Sequence, residues 1–159
     1  MKTEHSKWMQ LALLEAQKAS QKKEVPVGCV IVQAGQIVGR GHNLVETLQD
    51  ATAHAEMQAI KSAAQKLNSW RLENTVLYAT LEPCSMCVGA ILLSRISGIV
   101  YGASDPRYGA CGSVLQIANH KALDVSVDVE SGVLESRCRE VLQRFFRELR
   151  KFSERCESG

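Results

Sequence analysis

Two short stretches constrain this chain more than any other. "TAHAEM" carries His54 and Glu56, and "PCSMC", residues 83–87, carries Cys84 and Cys87 directly behind a proline. Cysteines at i and i+3 near a helix start share one face. A helix N-terminus also favours thiolate over thiol, the form that binds a metal. His54 opens the preceding helix-forming segment, so His54, Cys84 and Cys87 can meet on one metal only where two helix starts converge. Three protein ligands leave a fourth zinc position for water, the pattern of a catalytic rather than a structural site, and zinc lowers the pKa of such water to near 7. Glu56 adds a second constraint. On a straight helix, positions i and i+2 point about 200° apart, so His54 and Glu56 cannot both be ligands from mid-helix. A carboxylate beside the metal but not on it is what a proton shuttle requires.

The same cysteines admit other uses. A redox pair needs no His-x-Glu upstream, and thioredoxin-like motifs follow the first strand of a βαβ pattern. A structural zinc needs a fourth ligand, for which Cys111, His42 and His120 are the candidates, none at knuckle spacing. Disulfides among the six cysteines (29, 84, 87, 111, 138 and 156) are disfavoured in a reducing compartment. A cytosolic location is the expectation, because "MKTEHSKWMQ" lacks a signal-peptide core and no apolar run reaches membrane length. Cys29 and Cys138 read as small core fillers.

The chain has 159 residues, 45% apolar and 23% charged, which fits one globular domain spanning 1–159. Net charge is +2, too near zero to announce a nucleic-acid binder. Both ends are nevertheless basic: residues 135–157 carry seven Lys/Arg against five Glu.

Periodicity predicts a helix over about 6–22, a hairpin in "VGCVIVQAGQIVGRGHN", and a helix in "ATAHAEMQAIKSAAQKL" with Asp50 and Thr52 as candidate caps. "TVLYAT" reads as a strand, and "PCSMCVGAILLSR" as a helix with Pro83 in its first turn. "GIVYG" is a buried strand, "ASDPRYGACGS" a loop, and "LDVSVDVE" a half-exposed strand. Leu134, Cys138, Val141, Leu142, Phe145, Leu149 and Phe152 mark one face of a long C-terminal helix, expected to be mostly core packing. Phe145 and Phe146 are adjacent and cannot both face inward. Strands alternating with helices argue for a three-layer α/β/α domain around a central mixed sheet of about five strands.

The H-x-E…P-C-x-x-C pattern resembles the zinc-dependent cytidine/deoxycytidylate deaminase superfamily. Within it, "EVPVGCVIV", "GHN", "TAHAE", "TLEPCSMCVGAI", "GASDPRYGACGS" and "FFRELRK" look like the bacterial tRNA-specific adenosine deaminases, from about Trp8 to Lys151. That resemblance implies hydrolytic conversion of adenosine to inosine at the wobble position of an arginine tRNA, by attack of water at C6 with release of ammonia. It implies His54, Cys84 and Cys87 as ligands of one zinc per subunit and Glu56 as proton shuttle. It matches Asn43 to a contact with the flipped base, Val27 to the base pocket, and Asp105 to a contact with the nucleotide backbone. Phe145, Phe146, Arg147 and Arg150 match a helix that engages neighbouring anticodon-loop nucleotides. A homodimer and a cytoplasmic location, with no membrane partner, complete the implied picture.

Two other functions share the motif. A deaminase of a free base such as guanine or cytosine would use the same four residues, though the basic last helix and the "SDPRYGACGS" loop favour RNA. A non-catalytic zinc-stabilised module would have no use for Glu56.

Overall fold

The computed structural model describes residues 1–159. The elements are α1 (Lys2–Gln21), β1 (Gly28–Gln33), β2 (Gln36–His42), a single turn α2 (Val45–Leu48), α3 (Ala55–Leu67), β3 (Thr75–Leu81), α4 (Ser85–Leu93), β4 (Gly98–Ala103), β5 (Asp128–Glu130) and α5 (Glu135–Glu157). One five-stranded sheet runs in the order β2-β1-β3-β4-β5. Its β2, β1 and β3 pairings are antiparallel, and β3, β4 and β5 are parallel. Ala34 and Gly35 close the hairpin with φ of 48° and 72°, the two positive values a two-residue type I′ turn needs.

Alternation along the strands builds the layers. Cys29 and Ile31 of β1, Leu77 and Ala79 of β3, and Ile99 and Tyr101 of β4 pack on α3 and α4. Their neighbours Val30, Val32, Tyr78 and Val100 pack instead on α1 and on Cys138 of α5. The expected α/β/α sandwich follows from this period of two. α3 lies unusually close to the sheet because both surfaces are stripped. It presents Ala55, Ala59 and Ala63, all fully buried. Opposite them stand Gly39 and Gly41 of β2, where an added Cβ would fall 2.4 Å from the Ala59 carbonyl and 2.3 Å from the Ala55 carbonyl. That contact fixes the height at which the first turn of α3, with His54 and Glu56, sits over the sheet.

Several expectations need correction. α1 begins at Lys2 rather than near residue 6, with Glu4 in its first turn, where an acid suits the helix dipole. Asp50 and Thr52 do not cap α3: the Asp50 carboxylate accepts from Thr52 N and Oγ instead, and His54 is the N-cap residue. Pro83 stays outside α4, whose N-cap is Cys84 with extended backbone. β5 is only three residues long, because Val125 and Val127 serve core packing from a loop without pairing. The C-terminal stripe is not mostly core. Only Cys138 of α5 is buried, while Leu149 and Phe152 are 49% and 66% exposed, since the sheet ends before the helix does.

Candidate metal centre and active-site cavity

His54 and Cys84 occupy equivalent places, each the N-cap of its helix with extended backbone (ψ 156° and 174°). An N-cap side chain can turn back over the helix end, so His54 reaches the space that Glu56, in the first turn of α3, also faces. The two-residue spacing is thereby reconciled with a common target. Cys87 sits at the third position of α4, where N-cap and N3 side chains meet as in a capping box.

The His54, Cys84 and Cys87 donor atoms lie within 4.8 Å of one another. Each Sγ is 3.6 Å from His54 Nδ1. Tetrahedral zinc with Zn–S near 2.3 Å and Zn–N near 2.05 Å separates its sulfur and nitrogen ligands by about 3.6 Å. The residues present therefore fit the ion. No fourth His, Cys, Asp or Glu joins the group. Of the candidates for a closed site, His42 is engaged with Glu15 and Lys22, and His120 accepts from Ala122 N. An open fourth position is what distinguishes a catalytic zinc from a structural one.

The electrostatics suit a cation. The Cys87 thiol hydrogen-bonds Cys84 and, with His54, pushes the Cys84 thiol down to about 4. The same contact, with burial, pushes Cys87 up. The hydrogen bond to Cys84 raises His54. Glu56, 4% exposed, is raised by its burial, and backbone hydrogen bonding and His54 oppose this only in part. A carboxyl that readily takes a proton thus stands beside the donor cluster without belonging to it.

The cluster opens into a cavity of about 770 Å³. Val27, Asn43, Asp105, Phe145 and Phe146 all line it together with His54, Glu56 and Cys84. Arg147 and Arg150 do not: both are exposed on α5 outside the cavity wall. Both aromatics are accounted for, Phe145 half-buried and Phe146 44% exposed, packed edge to face at 5.4 Å. Asn43 is partly committed to the fold, donating from Nδ2 to the Val25 carbonyl and accepting at Oδ1 from Val45 N. Asp105 caps its own turn by accepting from Arg107 N and Tyr108 N. Tyr108 and Leu149 also line the cavity, as do two buried acids, Glu24 and Glu82, none of them expected there from the sequence. The acid in "TLEPC", placed at the end of a buried strand, was the available signal for Glu82.

The chain matches the family described as the cytidine and deoxycytidylate deaminase zinc-binding region over residues 2–103. It is 48% identical over 149 residues to the tRNA-specific adenosine deaminase of Bacillus subtilis, covering 94% of this chain and 92% of that one. Among solved structures, one from "Biochemical and Structural Studies of A-to-I Editing by tRNA:A34 Deaminases at the Wobble Position of Transfer RNA" superposes with a TM-score of 0.82. It is 42% identical and covers 85% of this chain and 98% of its own. The guanine deaminase of Bacillus subtilis superposes less fully, with a TM-score of 0.60 and 37% identity over 63% of this chain and 64% of its own. The likeness to the tRNA-specific enzyme thus runs through the loops and into the C-terminal helix, and the chain belongs to the cytidine and deoxycytidylate deaminase zinc-binding family and, within it, to the tRNA-specific adenosine deaminases.

Proposed function

We propose that this protein converts adenosine to inosine at the wobble position of a tRNA, adding water at C6 and releasing ammonia, with residues 1–159 acting as one deaminase domain. The observation that carries the reading is one open cavity lined by His54, Cys84, buried Glu56 and the aromatic rings of α5, with Cys87 completing the donor set from just behind its wall. His54, Cys84 and Cys87 would hold zinc, which when bound activates water at neutral pH. Glu56 accepts a proton from the attacking water and gives it to the ring nitrogen N1; it then takes the proton of the new C6 hydroxyl and delivers it to the amino group, which leaves as ammonia as the C6 carbonyl forms. Asn43 keeps one Nδ2 hydrogen for the polar edge of the base, and Val27 supplies an apolar wall. Asp105 lies where the ribose-phosphate chain enters. Phe146 and the exposed Arg147 and Arg150 meet flanking nucleotides outside the cavity, by stacking and by phosphate contact.

A flipped base from a single-stranded loop suits this site, because extruding it requires no duplex opening. Homodimerisation belongs to the same proposal: α4 buries Val88, Ile91 and Leu92 but leaves Leu93 76% exposed, with open space at Gly89. Light scattering at micromolar concentration reads this directly, and a monomer there would count against it. The cytoplasm, where tRNA is modified, is the proposed location; no helix is long and apolar enough to cross a membrane.

The deciding experiment is incubation of the zinc-loaded protein with total bacterial tRNA, followed by sequencing for A-to-I change. Editing at an anticodon first position is the expected result. Faster turnover of free guanine than of any tRNA would replace this reading with the metabolite deaminase.

A further inference from the structure

We infer that Glu24 and Glu82, two buried acids outside the reacting cluster, are positioning residues: each clamps one segment of the cavity wall and so sets the shape that receives the substrate. Glu24 is 1% exposed and Glu82 2%, and neither has a cationic partner. A buried carboxylate without a counter-charge is costly unless hydrogen-bonded. Here every partner comes from the single turn α2 or from the loop 104–113.

Glu24 Oε1 accepts from Glu46 N at 2.9 Å and Oε2 from Thr47 N at 3.1 Å. This ties the segment that carries Val25 and Val27 to the turn that carries Asn43 and Val45, all of them on the cavity wall. Glu82 does the same for residues 104–113. Its Oε2 accepts from Asp105 N at 2.9 Å and from the Ser113 hydroxyl, and its Oε1 from Cys111 N and Ser113 N at 3.0 and 3.1 Å. The loop is wrapped so closely that a Cβ on Gly109 would fall 2.4 Å from the Glu82 carboxylate.

Backbone pairing fixes each segment at one end only: Asn43 N donates to the Val27 carbonyl, and Ala110 N to the Pro83 carbonyl. α2 is one turn long, and no helix or strand lies between Ala103 and Asp128. A carboxylate suits the task because it only accepts, so both oxygens can face N–H donors; an amide of the same size turns a donor toward one of them. The two clamps share this chemistry but hold different parts of the wall, with Asn43 on one and Asp105 on the other.

This inference rests on the proposed tRNA activity for its kinetic readout. The test compares Glu24→Gln and Glu82→Gln with the unaltered protein on an anticodon stem-loop, with zinc content measured in each. The expected result is a KM for the stem-loop raised about tenfold, the scale of one hydrogen bond to a charged group. At saturation kcat should change by less than about threefold and zinc should stay at one per chain, the signature of lost binding geometry. Ser113→Ala, which removes only the hydroxyl donor, should give a smaller rise in KM with unchanged melting. Should the Gln variants not fold, amide exchange in the unaltered protein decides: Glu46, Thr47, Asp105, Cys111 and Ser113 should be protected well beyond their loop neighbours. An unchanged KM in all three variants, or unprotected amides at those positions, overturns the clamp. Absence of stem-loop turnover in the unaltered protein would instead overturn the proposed function, and the exchange measurement would still decide the clamp.

Discussion

A residue held where its own preference is violated shows what its surroundings require. Lys23 follows the C-terminus of α1 with φ of 59°, a left-handed conformation that costs a non-glycine residue about 1 kcal/mol and that glycine adopts freely. It is also the one lysine or arginine on the cavity wall. Lys23→Gly should therefore raise the urea midpoint, by up to about 1 kcal/mol of stability, while raising the KM for a stem-loop. A variant that gained stability and bound RNA as before would reduce Lys23 to a helix stop. Glu56 makes the complementary case. It is buried beside the donor cluster, so Glu56→Gln keeps the shape and the metal but removes the proposed proton carrier. Turnover should fall by roughly 10²–10⁴-fold, the usual worth of a positioned acid/base, with zinc content unchanged. Near-native turnover would take Glu56 out of the mechanism.

Between elements, the decisive contact is α3 on β2. Gly41→Ala places a methyl 2.3 Å from the Ala55 carbonyl, one residue from His54, so α3 must lift. Overpacking of this kind typically costs 1–3 kcal/mol, about that much is expected here, and the shift separates His54 from the two thiols. Zinc affinity should fall along with stability; a variant that lost stability yet held zinc as tightly would show that the helix height is set elsewhere. At the other end of the chain, α5 leaves the sheet after Leu142 and carries Arg147 and Arg150 into solvent. Replacing both with Ala should weaken stem-loop binding and flatten its salt dependence, by about 0.7 in the log–log slope for each single-strand phosphate the two arginines neutralise. These features differ in how plainly the sequence carries them. The strands and helices were legible because burial on two faces imposes periods of two and 3.6, and His54, Glu56, Cys84 and Cys87 because metal chemistry dictates residue types. The fate of α5 was not, because an amphipathic stripe looks the same whether it meets the sheet or projects beyond it. Glu24 and Glu82 escaped for a related reason: a side chain bonded to the backbone of a distant loop leaves no periodic trace. The small-residue pairing of Gly39 and Gly41 with Ala55, Ala59 and Ala63 was written in the chain, but only the register of β2 against α3 gives it meaning.

For the molecule as a whole, the layered core carries a consequence for pH. Three thiols outside the metal cluster are buried: Cys29 and Cys111 toward α3 and α4, and Cys138 against α1 and β4. Burial pushes Cys138 up to about 11 and Cys111 to about 12, the latter helped by Glu82 and Glu56, and it raises Cys29 as well. Burial likewise pushes Tyr78 up to about 12. Well below pH 9 folded and unfolded chains both keep these thiol protons, so pH does not act through them there. From about pH 9 the unfolded chain releases its thiol protons while the folded chain holds them to about 11 and beyond. The folded state then binds more protons, and stability must fall as pH rises. Cys84 has the opposite sign, being pushed down to about 4, but its contribution is complete by pH 9 and cannot offset the loss above it. The urea midpoint of the zinc-saturated protein should thus fall steadily between pH 9 and 11. Cys138→Ala, which removes one of these titrating groups, should start from a lower midpoint and lose less of it across the same range. A midpoint that held level or rose over that interval, or a Cys138→Ala variant with an unaltered slope, would show that the buried thiols do not govern alkaline unfolding.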